Sequence, residues 1–296
     1  MFSGVMPITL EQGLAYALVA LGIALTFRVL AFPDLTVDGS FPLGGAVAAR
    51  LILEGMDPYL AALAGTAAGF VAGCLTGLLN TKLKINSLLA GILMMTILYS
   101  VNLRIMGRAN IQLLTIPTLF TPFEEMEISR DIPVVLFFLV VVLVVKILCD
   151  WFLHTEYGMA MRATGDNEQM IRSLGVNTDT TTVLGLGISN ALVALSGALI
   201  AQDQGFADVG MGIGMIVAGL ASIIIGEALI KPKSVFRLTL AAVVGSLAYR
   251  FIIVLGLRLG LAPTDLKMAT GLMVILALGI PSLKRGGEGK IHLRGV

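Results

Sequence analysis

Charge is what this sequence is shortest of. Only 13% of its 296 residues are Asp, Glu, Lys or Arg against 57% hydrophobic ones, and the mean hydropathy is +0.94. A soluble domain carries about a quarter charged residues, so a water-soluble globular fold is excluded. The formal net charge of +1 leaves no electrostatic footprint for nucleic acid. Histidine and cysteine are scarce as well. His154 and His292 lie far apart, Cys74 and Cys149 sit in apolar stretches, and no carboxylate cluster has metal-ligand spacing. No nucleophile–base pairing can be nominated, so neither enzyme chemistry nor a metal or other cofactor is assigned to the chain. A G-x-x-x-x-G-K-[S/T] phosphate loop is missing too. If nucleotide drives this protein, another subunit must bind it. The opening Met1-Phe2-Ser3-Gly4 has no basic cluster ahead of its apolar run, so that run is expected to be a retained span.

What is present is a series of long apolar segments. Crossing about 30 Å of hydrocarbon takes roughly 20 apolar residues in a helix. Spans are placed near 10–30, 41–54, 58–79, 86–106, 131–152, 182–202, 212–230, 236–258 and 267–281. The prediction is an all-α integral membrane protein of about nine transmembrane helices, with eight and ten as the neighbouring counts. Residues 1–296 are read as a single transmembrane domain with a polar loop over 153–181 and a tail over 282–296. Lys82 and Lys84, Arg162 and Arg172, Lys231, Lys233 and Arg237, and Lys284, Arg285, Lys290 and Arg294 fall on one side if the spans alternate. The opposite loops are mainly acidic, with Glu54, Asp57, Glu124, Glu125, Glu127, Asp131, Asp203, Asp208 and Asp265. The positive-inside rule makes the basic side cytoplasmic. Loop and C-terminal tail are then inside, and the N-terminus is outside.

A faint internal repeat is visible. Phe32-Pro33-Asp34-Leu35 leads into the small-residue run Leu43–Ala48, and Phe206-Ala207-Asp208-Val209 leads into Val217–Ala221. In the assigned topology the two units face opposite ways, as inverted repeats do. With so few shared letters, chance is the competing explanation.

Several polar or small-residue features stand out. Gly65, Gly69, Gly73 and Gly77 recur every four residues, which on a helix makes a smooth ridge for close backbone packing. The segment Phe32–Pro42 places Asp34, Asp38, Thr36, Ser40, Gly39 and two prolines between two spans. Pro33 and Pro42 both discourage a continuous helix. One reading is a tight turn with an aspartate as helix N-cap. The other is a broken helix near 31–42 that enters the membrane and lines a polar path. Among polar groups at membrane depth (Asn102, Ser189, Asn190, Ser196, Ser222 and Glu227), Asn190 either lines a path or hydrogen-bonds a neighbouring helix. Glu227 lies one turn before Lys231 and is expected to pair with it. In the 153–181 loop, residues 158–174 form one amphipathic helix, with Met159, Met161, Ala163, Met170 and Ile171 against Arg162, Asp166, Asn167, Glu168 and Arg172. Such a helix can lie on the membrane, but its mixed charge suits a soluble partner better than an anionic lipid surface.

Three segments resemble one family, the permease subunits of the ribose and branched-chain amino acid class of ABC importers. Asp34–Ser40 followed by Leu43–Ala49 is similar to the "DLSVGS…LGGAVAA" stretch of the sugar-type permeases, with Asp38 as an extra acidic position. Gly77–Asn86 running into Ala90–Met95 is similar to a second family stretch. Thr155-Glu156-Tyr157-Gly158, Arg162–Glu168 and Leu174–Asn177 resemble the family's coupling segment, whose spacing is fixed over more than twenty residues. The resemblance implies an inverted-repeat, type II-like importer fold. It also implies two ATPase subunits, a second permease chain that makes a homodimer, and an extracytoplasmic solute-binding protein, with ATP and Mg on the partner. It places Thr155, Gly158, Arg162, Ala163, Gly165, Asp166, Asn167, Gly175 and Asn177 at the ATPase, and Asp34, Asp38, Ser40, Met94, Asn102 and Asn190 along the translocation path. The wording "PDLTVDGSF" looks most like the tryptophan/tyrosine transport branch, which implies an amino acid as solute, the aromatic ones favoured, in a bacterial inner membrane. Sugar-type relatives have an additional N-terminal span, which this chain is expected to lack, and the outside placement of the N-terminus follows from that expectation. The competing class is a secondary transporter driven by an ion gradient, since broken helices and inverted repeats occur there too. A membrane scaffold or sensor is the third reading, and it gives the broken polar segment no purpose.

Overall fold

A computed structural model describes residues 6–124 and 131–260, together with a few positions between 265 and 275. The expected span at 267–281 falls largely outside the described residues, and the 282–296 tail entirely so. In chain order the elements are α1 (Met6–Ile23), extended by a π-helical turn over Ala24–Val29, then α2 (Val37–Leu53), α3 (Pro58–Thr81) and α4 (Ser87–Met106). There follow β1 (Asn110–Gln112), the short α5 (Thr121–Glu124) and α6 (Asp131–His154). Next come α7 (Glu156–Asp166), α8 (Glu168–Ser173) and α9 (Thr178–Asp203), and last β2 (Phe206–Asp208), α10 (Met215–Ile230) and α11 (Val235–Arg258). Six of these helices, α1 with its π-helical turn, α3, α4, α6, α9 and α11, are long and apolar enough to cross a membrane. The helices α2 and α10, 17 and 16 residues long, are shorter because a non-helical segment precedes each.

Local chemistry sets the helix starts. Asp57 accepts hydrogen bonds from Tyr59 N and Leu60 N (2.8 and 3.3 Å) with Pro58 at the first helical position of α3. Asn86 caps α4 through Leu88 N at 3.0 Å, and Ser234 caps α11 through Arg237 N at 3.4 Å. At its far end α4 stops on Gly107, whose φ of +70° is left-handed.

The chain ends of α1 and α9 fix the relative direction of the two helices, the orientation an inverted repeat requires. Val29, closing α1, touches Gly165 of α7, whereas α9 begins beside α8. The two helices therefore run in opposite senses. Serine hydroxyls bind them together: Ser189 donates to Gly22 O and Ser196 to Ala15 O, each at 2.7 Å. From the other side, Ser246 of α11 donates to Gly13 O at 2.8 Å. Each half packs its third helix on the other half's entry helix, α3 on α9 and α11 on α1. Both halves also enter their short helix through the same Asp turn. Asp34 Oδ1 accepts from Thr36 N at 2.9 Å, and Asp208 Oδ1 accepts from Gly210 N at 2.8 Å. The second entry segment is further marked by β2, which pairs antiparallel with β1 ahead of α10.

The glycine ridge of α3 lies against backbone. A Cβ added at Gly73 would come within 2.1 Å of Leu186 O, at Gly69 within 2.5 Å of Asn190 O, at Gly65 within 2.7 Å of Gly44 O, and at Gly77 within 2.7 Å of Val183 Cα. Across the same contact, Gly44 meets Ala194 O and Gly197 meets Phe41 O. Helices α2, α3 and α9 are thus packed backbone to backbone, as small residues permit in a bilayer, where apolar surface alone supplies no drive for helices to associate.

Three sequence expectations change. Pro42 does not break the chain: α2 runs from Val37 through it, leaving the Asp38 carbonyl without its usual i+4 donor. The break lies earlier, over 30–36. Glu227 pairs with Arg28 of the π-helical turn and not with Lys231, because the end of α10 packs beside the end of α1. Lastly, residues 158–174 form two helices and not one, because Asn167 leaves the helical conformation (φ −158°, ψ 93°) and caps α8.

Candidate functional site

The broken segment is a closed polar network at the middle of the bundle. Asn190, in mid-α9, donates through Nδ2 to Asp34 Oδ2 at 2.7 Å and accepts through Oδ1 from Ser40 Oγ at 2.7 Å. Thr36 Oγ1 lies 2.9 Å from Thr76 Oγ1 of α3. Asp34, Thr36, Ser40, Thr76 and Asn190 are all buried. Three sequence-distant elements are joined here by groups that would be costly to bury singly. Asp34, Ser40 and Asn190 therefore hold one another, and none of them borders the cavity described next.

Asp38 and Asn102 do border it. A cavity of about 400 Å³ is lined by Asp38, Gly39, Pro42, Met95, Thr96 and Tyr99, and further by Ser100, Asn102, Val209 and Ile213. One wall is the start of α2, another the exposed face of α4, and the third the loop before α10. Asp38 accepts from Gly214 N at 3.0 Å and from Ile216 N at 2.9 Å, so its carboxylate caps the first turn of α10. Asn102 donates from Nδ2 to Gly39 O at 3.1 Å, while its Oδ1 is buried with no hydrogen-bond partner among the described residues. Met94 is buried with Leu43, Ala72 and Leu98, one residue away from the cavity wall.

Sequence reading missed Thr96, Tyr99 and Ser100. All three are exposed on an otherwise apolar helix. Their spacing of three and four residues puts them on one face of α4, and that spacing was the available signal. A hydroxyl-bearing face on a membrane helix suits a water-filled space or a protein partner better than acyl chains.

The second site is α7–α8 with its flanks. Thr155 caps α7 through Gly158 N at 3.3 Å, Asn167 caps α8 through Met170 N at 3.0 Å, and Asn177 caps α9 through Thr180 N at 3.2 Å. Gly158 lies against Phe152 O, and Gly165 against Val29 O of the α1 extension. Gly175 turns the chain with a φ of +88°. Thr164 Oγ1 meets Thr181 Oγ1 at 3.2 Å, and the Ala163 carbonyl accepts from Asn167 N at 3.0 Å. Arg172 is bound to Glu168 and Asp179 (2.8 and 2.9 Å) and to Thr178. Most of the motif thus shapes the element. Arg162 is half-buried and Asp166 exposed. The outward surface comes from side chains outside the motif list, Tyr157, Met159, Met170 and Leu174, which are 64%, 51%, 52% and 71% exposed. A run of exposed apolar side chains on a charged element marks a contact surface.

Comparison with known proteins finds transport permeases. A family profile described as branched-chain amino acid transport system / permease component matches residues 6–278. The chain is 45% identical over 281 residues to the tyrosine transport system permease protein of Clostridioides difficile (strain R20291), covering 95% of this chain and 92% of that one. It is 26% identical over 286 residues to the galactofuranose transporter permease protein YtfT of Escherichia coli (strain K12), with 93% and 79% covered. It is 25% identical over 223 residues to the ribose import permease protein RbsC of the same strain, with 73% and 67% covered.

Proposed function

The chain belongs to the branched-chain amino acid transport system permease family, and from that premise we propose that it forms the membrane path of an ATP-driven importer for an aromatic amino acid. The observation that carries the reading is the α7–α8 element. It is a rigidly capped pair of short helices, anchored on the ends of α1 and α9, with exposed apolar side chains facing away from the bundle. That form suits a soluble ATPase, and the chain has no phosphate loop of its own. The face bearing α7 and α8 is then cytoplasmic, which places the start of α1 outside. Two ATPase subunits, a solute-binding protein on the far side and a second copy of this chain complete the assembly.

The exposed, hydroxyl-bearing face of α4 and the cavity behind it are where the second copy closes the path. Asp38, Tyr99, Ser100 and Asn102 line it, and the Asp34–Asn190 network holds the broken helix that forms its wall. ATP binding draws the docked ATPases together, α7 moves against the ends of α1 and α9, and the two halves of each chain reorient about the α1–α9 pair. An aromatic amino acid is favoured as solute by the name of the Clostridioides difficile relative and by the aromatic residue on the cavity wall.

Reconstitution into vesicles with the cognate ATPase and binding protein tests this. Labelled L-tyrosine uptake is expected to need ATP and the binding protein and to survive ionophores. Replacing Tyr157 and Leu174 with aspartate should abolish uptake and release the ATPase while leaving the permease folded. Uptake that follows an ion gradient without ATP would sink the proposal in favour of a secondary transporter.

A further inference from the structure

Within α11, the run Leu240–Leu257 contains one charged residue, Arg250. Other cations set into the bundle have carboxylates: Arg28 pairs with Glu227, and Lys146 pairs with Asp150 at 2.6 Å. Arg250 forms no ion pair with a described carboxylate, and its Nε is buried without a hydrogen-bond partner among the described residues. Its guanidinium carbon stands 4.2 Å from the centroid of the Tyr16 ring. The ring stabilises the cation but accepts no conventional hydrogen bond in its plane. An ionisable side chain held at this depth without a counter-charge points to a ligand.

Arg250 borders a cavity of about 280 Å³, whose other walls include Tyr16, Met215, Gly219, Ser222 and Tyr249. Cavities that hold small molecules span roughly 300–1,000 Å³, so this one suits a single compact solute. Most of its wall is apolar, from α1 and the first turns of α10. The polar groups gather at α11, where the Tyr249 hydroxyl is 2.9 Å from Thr270 Oγ1. Ile213 borders both this cavity and the one behind α4. The two spaces adjoin across the loop whose helix Asp38 caps.

We propose that Arg250, Tyr16 and Tyr249 form a transit subsite in which Arg250 takes the carboxylate of an aromatic amino acid and the apolar wall takes its ring. The inference rests on the importer reading above and names the group that recognises the solute inside the bundle. A guanidinium offers a planar pair of N–H donors that matches a carboxylate. The free Nε–H and one terminal N–H form such a pair while the ring of Tyr16 keeps the face of the guanidinium. A subsite on a path must also release its occupant, and a small, one-ended cavity with a single anchoring cation meets that need.

The test uses the permease with its ATPase in phosphatidylcholine nanodiscs, without binding protein. Equilibrium binding of tritiated L-tyrosine is measured with unlabelled L-tyrosine and tyramine, which lacks the carboxylate, as competitors. Tyramine is expected to compete about tenfold more weakly or worse, as for a lost charge-assisted hydrogen bond. This arm needs only the wild-type chain. Arg250→Gln should weaken tyrosine binding by about tenfold or more, and Arg250→Lys should recover part of the loss. Equal competition by tyramine, unchanged binding in Arg250→Gln, or no tyrosine binding by the wild type each overturns the proposal. So does displacement of tyrosine by added phosphatidylglycerol, which would make the cavity a lipid site. ATP-driven uptake in the vesicle assay separates the two readings: if uptake stands and these results fail, only the subsite falls.

Discussion

Asp38 and Gly214 are 176 residues apart in sequence and joined by a 3.0 Å hydrogen bond from the Gly214 amide to the Asp38 carboxylate. Through this bond and its companion at Ile216, the first half of the chain caps the helix that opens the second. Replacing Asp38 by alanine should destabilise the fold by about 1–2 kcal/mol, the range of a lost N-cap. Asparagine, which keeps one acceptor, should cost less. Thermal unfolding in detergent measures both, and an alanine variant as stable as the parent would show that the cap contributes nothing.

Gly73 and Gly107 make a controlled pair. A methyl at Gly73 meets the Leu186 carbonyl, whereas a Cβ at Gly107 finds nothing within 4 Å. Gly73→Val is therefore expected to prevent assembly of a folded, monodisperse protein, since the obstacle is backbone that cannot yield. Gly107→Ala should lower stability by only about 1 kcal/mol, the cost of a left-handed φ for an L residue. Size-exclusion profiles and melting points after matched expression give the comparison. Equal behaviour of the two variants would contradict the packing described.

Glu227 and Arg28 hold the end of α10 to the end of α1. Both side chains are about four-fifths buried (22% and 21% exposed), so removing one charge strands the other. Glu227→Gln is expected to lose about 1–3 kcal/mol. A charge exchange, Arg28→Glu with Glu227→Arg, should regain part of it. A double-mutant cycle on unfolding midpoints reads the coupling, and additive single effects would mean that the pair makes no net contribution.

Thr96 and Ser100 belong to the proposed path, and Ile147 of α6, 63% exposed, borders neither cavity. In a background with Cys74 and Cys149 replaced by alanine, Ser100→Cys should react with a membrane-impermeant thiol reagent and Ile147→Cys should not. L-Tyrosine transport conditions should alter the Ser100→Cys rate by several-fold. Labelling of Ile147→Cys alone would move the aqueous space away from α4, and equal labelling of both positions would show that exposure at α4 marks no distinct path.

What could be read without coordinates was whatever depends on local geometry. Helical spans need only length and hydropathy, and a glycine every four residues needs only the helical repeat to become a ridge. The coupling segment was legible by its spacing, yet as one helix, because periodicity alone does not show that Asn167 caps a new helix. Long-range partners were not legible. Glu227 had Lys231 a turn away in sequence, and only the packing of α10 on α1 brings Arg28 closer. Arg250 went unremarked in the sequence reading, although it is a lone charge in an apolar run, because its meaning depends on which carboxylates the fold keeps away from it. The cavity wall of α4 left only the i, i+3, i+4 spacing of Thr96, Tyr99 and Ser100 as a signal, and which face of the helix stays exposed is decided by the bundle.

The three side-chain caps at Thr155, Asn167 and Asn177 separate the shape of the α7–α8 element from its surface. The motif that identifies the segment encodes a bracket, while its outer surface is written in residues the motif leaves free. Under the proposed docking of an ATPase here, the shape of the element and the chemistry of its outer face can be altered independently. Exchanging only Tyr157, Met159, Met170 and Leu174 between two relatives should redirect a permease from one ATPase to another.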